Sequence, residues 1–180
     1  TWMQLNTRIN KLANSLIDLG VKKDDKVAVL LYSRIEYVEI IYALAKIGAV
    51  VVTLNYNYTP RELEYTINFS DAVKIFVSNE LLPNLMEAMN GLDKITNKDV
   101  IILDDNSNNN MSDYESLISK GLPDEPNVEV SENDPYWLAF TGGTTGLPKA
   151  AVVRHRNQVQ VHLLLAVEYG ISEKDTYLSC

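Results

Sequence analysis

The stretch TGGTTGLPKA, residues 141–150, places three glycines, three threonines, a proline and a lysine between the apolar runs YWLAF and AVV. Glycines let a backbone bend and come close to a ligand, and successive N–H groups in such a loop form a concavity that attracts anions. Threonine hydroxyls add donors. Lys149 adds a mobile ammonium with three donors, suited to a phosphate group that needs a point charge rather than a planar fork. Together Thr141, Gly142, Gly143, Thr144, Thr145, Gly146 and Lys149 describe a cradle for a polyphosphate. Two common cradles do not fit. The residues five after Gly142 and Gly143 are Leu147 and Pro148, and Lys149 precedes Ala150, so GxxxxGK[ST] is not met. Gly142 and Gly143 are adjacent and the next glycine is Gly146, so GxGxxG fails as well.

The chain around this loop repeats one pattern of helix start, helical apolar period, stop and short apolar run. Thr1 with Gln4, Ser33 with Glu36, Thr59 with Glu62 and Ser112 with Glu115 each have the spacing of a capping box. Thr59 is followed by Pro60, whose missing N–H costs nothing at the first helical position. Leu5, Ile9, Leu12, Ala13, Leu16 and Ile17 share one face of a first helix that stops at Gly20. VAVLL (27–31), AVVVTL (49–54), VKIFVS (73–78) and DVIIL (99–103) read as strands, with helices over about 34–47, 60–69 and 80–90 between them and a short one ending at Gly121. Such alternation predicts an α/β fold, an open layered sheet with helices on both faces. The acid- and proline-rich stretch 122–135 has neither period and reads as a linker. It divides an α/β subdomain, 1–121, from the start of a second one, 136–180, which carries the loop, KAAVV and a helix from about Asn157 to Glu168.

Bulk properties narrow the function. A net charge of −8 repels nucleic acid and anionic membrane surfaces on average, so any phosphate site has to be local. Lys149, Arg154 and Arg156 concentrate positive charge near the loop, after a linker that is acidic at Asp124, Glu125, Glu129, Glu132 and Asp134. The one cysteine, Cys180, has no disulfide partner, which suits a reducing cytoplasm. The most apolar segment, 38–54, contains Glu39, Lys46 and Gly48 and divides into helix and strand rather than crossing a membrane. His155 at a helix start reads as a surface or capping residue rather than a catalytic base, and His162, beside Leu163 to Leu165, reads as core or interface. The opening on Thr1 and the ending inside an apolar run, DTYLSC, read as those of a piece of a longer chain.

TGGTTGLPKAAV closely resembles the phosphate-binding loop of the adenylate-forming (AMP-binding) superfamily, the acyl-CoA synthetases, luciferases and peptide-synthetase adenylation domains, whose usual form is [ST]-S-G-T-T-G-x-P-K-G. HRN (155–157) follows it at a helix start, as in many members. The resemblance covers essentially the whole chain, through TWMQLNTRINKLANSLIDLGVKKDDKVAVLL, AKIGAVVVTLNYNYTPRELEYTINFSDAVKIFVS and ISEKDTYLSC, and LNYNYTPREL is nearer to fatty-acyl and related acyl-CoA ligases than to peptide-synthetase domains. Gly142 stands where serine is usual, and Ala150 where glycine is usual. If the latter position needs positive φ, alanine costs about 1 kcal/mol there.

The resemblance implies the N-terminal part of an ATP-dependent acid–thiol ligase that converts a carboxylic acid and Mg2+-ATP to acyl-AMP and pyrophosphate and then forms a thioester with coenzyme A. It implies that Thr141, Gly142, Gly143, Thr144, Thr145, Gly146 and Lys149 hold the β and γ phosphates, with Lys149 and Thr144 stabilising the leaving pyrophosphate. It also implies that the metal-binding glutamate, the catalytic lysine and the C-terminal domain lie beyond the position of Cys180, so that these residues alone are inactive. An aryl-CoA, luciferase-like or acyl-AMP ligase, or a catalytically dead nucleotide-binding relative, fits the same motif.

Overall fold

The structure, a computed structural model, describes residues 1–104, 111–141, 148–172 and 174–176. Local chemistry starts its helices. Helix α1 (Trp2–Asp18) and helix α3 (Pro60–Ser70) both open on the full capping box read from the sequence, Thr1 with Gln4 and Thr59 with Glu62. The other two boxes do not form. Helix α2 (Ile35–Lys46) is preceded by Arg34, and Ser33 does not cap it, because the Arg34 guanidinium holds the Glu36 carboxylate at 2.8 Å and Asp104 at 3.1 Å. Helix α5 (Tyr114–Lys120) is capped by Asp113, whose carboxylate accepts from the Ser116 N–H at 2.6 Å, while Ser112 pairs with Ile101 in a strand. Helix α4 (Leu82–Ala88) and helix α6 (His155–Tyr169) complete the set.

Seven strands form one sheet in the order β5-β4-β3-β1-β2-β6-β7. They are β1 (Lys26–Leu30), β2 (Val50–Thr53), β3 (Lys74–Val77), β4 (Val100–Ile102), β5 (Ser112–Asp113), β6 (Pro135–Thr141) and β7 (Lys149–Arg154). Every neighbouring pair is parallel except β6 with β7. The continuous apolar strands of the sequence are explained by helices on both faces. Val27, Val29, Val51, Phe76 and Ile101 point to α1, α2 and α5, meeting Leu12, Leu16, Ile40, Leu44 and Ile118. The alternate residues Ala28, Leu30, Val52, Ile75, Val77 and Ile102 point the other way, to Leu63 and Ile67 of α3 and Leu85 of α4. Each such fully buried large side chain contributes about 1.5–3 kcal/mol relative to exposure.

One ionic cluster is built into the first of these layers. Glu39 of α2, only 2% exposed, receives the Arg8 guanidinium of α1 at 2.6 Å and the Tyr114 hydroxyl of α5 at 2.6 Å. Arg8 also holds Glu115 at 2.6 Å. Burial and the hydrogen bond to Glu39 raise the Tyr114 pKa, and the two carboxylates raise that of Arg8, so the phenol stays neutral and the guanidinium charged.

The stretch 122–134 contains no helix or strand, yet it is tied down along its length. Asn10 donates to the Pro123 carbonyl and Asn14 to those of Leu122 and Asp124, each at 2.9 Å. Lys46 pairs with Glu125, Val128 packs on the core, and Lys23 pairs with Asp134 at 2.7 Å. The residues after it then join the same sheet, β6 hydrogen-bonding to β2 with Val52 opposite Leu138 and the Trp137 indole N–H donating to Thr53 Oγ1 at 2.9 Å.

Candidate functional site

Strands β6 and β7 form an antiparallel hairpin that sets Thr141 opposite Lys149, Phe140 opposite Ala150 and Ala139 opposite Ala151. The two end residues of the glycine- and threonine-rich stretch are therefore neighbours. The Thr141 hydroxyl donates to the Lys149 carbonyl at 3.3 Å, and both residues are exposed at the hairpin tip. Gly142, Gly143, Thr144, Thr145 and Gly146 lie outside the described residues. Lys149 takes part in none of the ion pairs found among the described residues. These two side chains fit the polyphosphate of ATP in their chemistry, one hydroxyl and one cation on paired strand positions.

The hairpin is braced from helix α3, which sequence reading left without a role. Tyr65 stacks on Phe69 at 5.6 Å, and Phe69 meets Phe140 of β6 edge to face at 6.1 Å. The Tyr65 hydroxyl approaches the carbonyl of buried Pro148 at 3.5 Å, one residue before Lys149. Tyr65 and Phe69 are four apart on a helix and share a face, which is the signal that could have marked them.

Past the hairpin, Arg154 and Arg156 are exposed, and the Arg154 N–H donates to Asn157 Oδ1 at 3.0 Å at the start of α6. His155 tucks its ring against Tyr136 at 5.1 Å, and its Nε2 is buried without a partner among the described residues. Burial lowers the His155 pKa, Asp134 opposing this, so the ring is neutral near pH 7. An Nε2 closed off from solvent cannot move a substrate proton. His162, expected in a core or interface, is exposed, with Nδ1 2.8 Å from the Gln158 carbonyl. Together with Tyr42, Tyr136 and His155 it lines a cleft of about 540 Å3 between α2 and α6. Cys180 lies outside the described residues. Among the described residues no group of three His, Cys, Asp or Glu is placed to hold a metal, and no helix is long and apolar enough to cross a membrane.

The chain matches the AMP-binding enzyme family over residues 1–180. It is 32% identical over 184 residues to a medium/long-chain-fatty-acid–CoA/3-oxocholest-4-en-26-oate–CoA ligase of Mycobacterium tuberculosis, covering 98% of this chain and 33% of the relative. It is 33% identical over 167 residues to the acyl-CoA ligase sidI of Beauveria bassiana, covering 88% of this chain and 29% of that protein. Among solved structures, a long-chain-fatty-acid-CoA ligase (FadD1) from Archaeoglobus fulgidus superposes with a TM-score of 0.85 at 30% identity, over 97% of this chain and 34% of that one. The anthranilate CoA ligase AuaEII in complex with anthranoyl-AMP shares the fold, with a TM-score of 0.86 at 23% identity over 91% of this chain and 31% of that one. The chain thus spans about a third of the length of the relatives it matches. With a family match over its full length and the hairpin in place, the chain belongs to the AMP-binding enzymes.

Proposed function

We propose that this chain is the N-terminal part of an acyl-CoA synthetase that joins a carboxylic acid, a fatty acid by preference, to coenzyme A through an acyl-adenylate, with ATP as the consumed co-substrate and Mg2+ as the metal that accompanies it. The acid's carboxylate attacks the α phosphorus of ATP, the α–β bridging P–O bond breaks, and pyrophosphate leaves with the electron pair. The thiol of coenzyme A then displaces AMP from the acyl carbon. The observation that carries this reading is the β6–β7 hairpin, which holds Thr141 against Lys149 at the two ends of the loop. In it Thr141, Gly142, Gly143, Thr144, Thr145 and Gly146 hold the β and γ phosphates, and Lys149 and Thr144 stabilise the charge that grows on the leaving pyrophosphate. The acidic stretch 122–135 marks the passage from a first unit, 1–121, to the unit that carries the loop. The ligase relatives, two of them fatty-acid–CoA ligases by name, support the choice of acid and of thiol. A single cysteine supports a reducing, cytoplasmic setting.

Acid-dependent exchange of labelled pyrophosphate into ATP by the full-length protein tests the reaction. We expect exchange with medium- or long-chain fatty acids, a loss of about a hundredfold or more in Lys149→Ala, and none from residues 1–180 alone. An intact exchange rate in Lys149→Ala removes the loop from the mechanism, and no exchange with any acid in the wild type removes the reaction itself.

A further inference from the structure

A single lysine far from the loop ties down the base of the hairpin that carries it. Lys23 sits in the turn between α1 and β1, where Asp24 has φ +69° and its N–H donates to the Gly48 carbonyl at 2.9 Å. The Lys23 stem crosses Gly48, which itself has φ +68°. A Cβ added to Gly48 would stand 3.0 Å from Lys23 Cγ and 3.3 Å from Val130 Cγ2, so the missing side chain is what lets stem and Val130 lie together. Beyond Gly48 the ammonium donates to the Glu129 carbonyl at 3.1 Å and pairs with Asp134 at 2.7 Å.

Asp134 passes this anchoring on. Its carboxylate also accepts from the Ser131 N–H at 2.7 Å, and its carbonyl accepts from the His155 N–H at 3.2 Å. The Arg156 N–H donates to the Glu132 carbonyl at 2.9 Å. Glu132 and Asp134 therefore hold the first two residues after β7, and Asp134 leads directly into Pro135, the first residue of β6. At this junction Pro135 pairs with Arg154, and the ladder shifts register between Pro135 and Trp137. A register shift at the base is carried along the strands to the tip, where it decides whether Thr141 faces Lys149.

We propose that Lys23, acting through Asp134, is a positioning residue that fixes the β6–β7 register and hence the pairing of Thr141 with Lys149 at the two ends of the phosphate loop; the loop's role rests on the function proposed above. A surface ion pair alone adds little to stability. What distinguishes this one is that Asp134 directly precedes β6 and its carbonyl accepts from the N–H of His155, the residue that follows β7.

The test uses the full-length protein with Lys23→Met, which keeps the stem and removes the cation, Asp134→Asn, the charge-swapped Lys23→Asp with Asp134→Lys, and Lys23→Arg. Hydrogen exchange is read at the amides of 137–141 and 149–154, and KM and kcat for ATP from pyrophosphate exchange. Both single neutralising variants are expected to speed hairpin exchange by about tenfold while β1, β3 and β4 keep wild-type rates. KM for ATP should rise by about fivefold with kcat little changed, and Lys23→Arg and the charge swap should restore both. Wild-type exchange rates in the hairpin, equal acceleration in all strands, or faster hairpin exchange with an unchanged KM in an active enzyme would each overturn the proposal. If the wild type shows no pyrophosphate exchange, the proposed reaction fails, while the hairpin amides still report whether Lys23 holds the register.

Discussion

Residues 1–121 and residues 135–172 contribute to one sheet, but they differ in how they meet water. Every buried residue of the two hydrophobic core clusters lies between Ile9 and Ile118. In the second region Val152, Val159, Leu163 and Leu164 are all more than half exposed, and Val167 is 80% exposed. The cause is patterning. In α1 the apolar residues form a stripe that the sheet can cover, whereas in α6 they stand at Val159, Val161, Leu163 to Leu165 and Val167, all around the helix. A helix that is apolar all round can bury only one side of itself against a single sheet. The first region therefore explains its own stability, and the second explains the position of the loop without explaining its own hydrophobicity.

The contrast can be broken by substitution in the 180-residue chain, followed by urea unfolding. Phe76→Ala, at a fully buried position between the two helical layers, should cost about 3–5 kcal/mol, and Leu164→Ala less than about 0.5 kcal/mol. Similar costs for the two would show that α6 is packed as tightly as the first region. Next in size is the ionic cluster. Arg8→Met leaves the Glu39 carboxylate buried without its cation and should cost about 3 kcal/mol. Tyr114→Phe removes a single hydrogen bond to the same carboxylate and should cost about 1–2 kcal/mol. Should Arg8→Met be neutral, Glu39 is reached by water and the first region is looser than its burial implies.

The smallest effect sharpens the boundary between the regions. Burial holds the His155 pKa below its ordinary value of 6.5, so the unfolded chain takes up a proton first as pH falls. Stability from this ring is complete above pH 6.5 and is lost as pH drops toward the folded pKa. The unfolding midpoint should decline gently as pH falls below 6.5, and His155→Gln should flatten that part of the curve. An unchanged slope in the variant would place the proton uptake elsewhere.

What the sequence made legible follows from how far apart the deciding residues are. The caps at Thr1 and Thr59 and the stops at Gly20 and Gly48 depend on neighbours within a turn, and they formed as read. Ser33 failed as a cap because Asp104, seventy residues away, helps to hold Arg34 against Glu36. Glu39 read only as an objection to a membrane span; its partners Arg8 and Tyr114 lie 31 and 75 residues distant. Strand β5, two residues long, has no period to detect. At the site, composition and spacing were enough to single out the loop, and the hairpin that presents Thr141 and Lys149 follows from the strands around it. The brace from Tyr65 and Phe69 and the hold of Lys23 on Asp134 were not readable, since each joins segments remote in the chain.

The sheet also ends differently on its two sides. At one margin stands β5, with two residues to offer; at the other stands β7, six residues long, whose outer backbone groups pair with no strand among the described residues. A free row of N–H and C=O groups of that length is a template on which another strand can be laid. Among the described residues the two margins thus offer unequal lengths of backbone to a further strand, two residues at β5 and six at β7, and the cations Lys149 and Arg154 stand at the ends of the longer one.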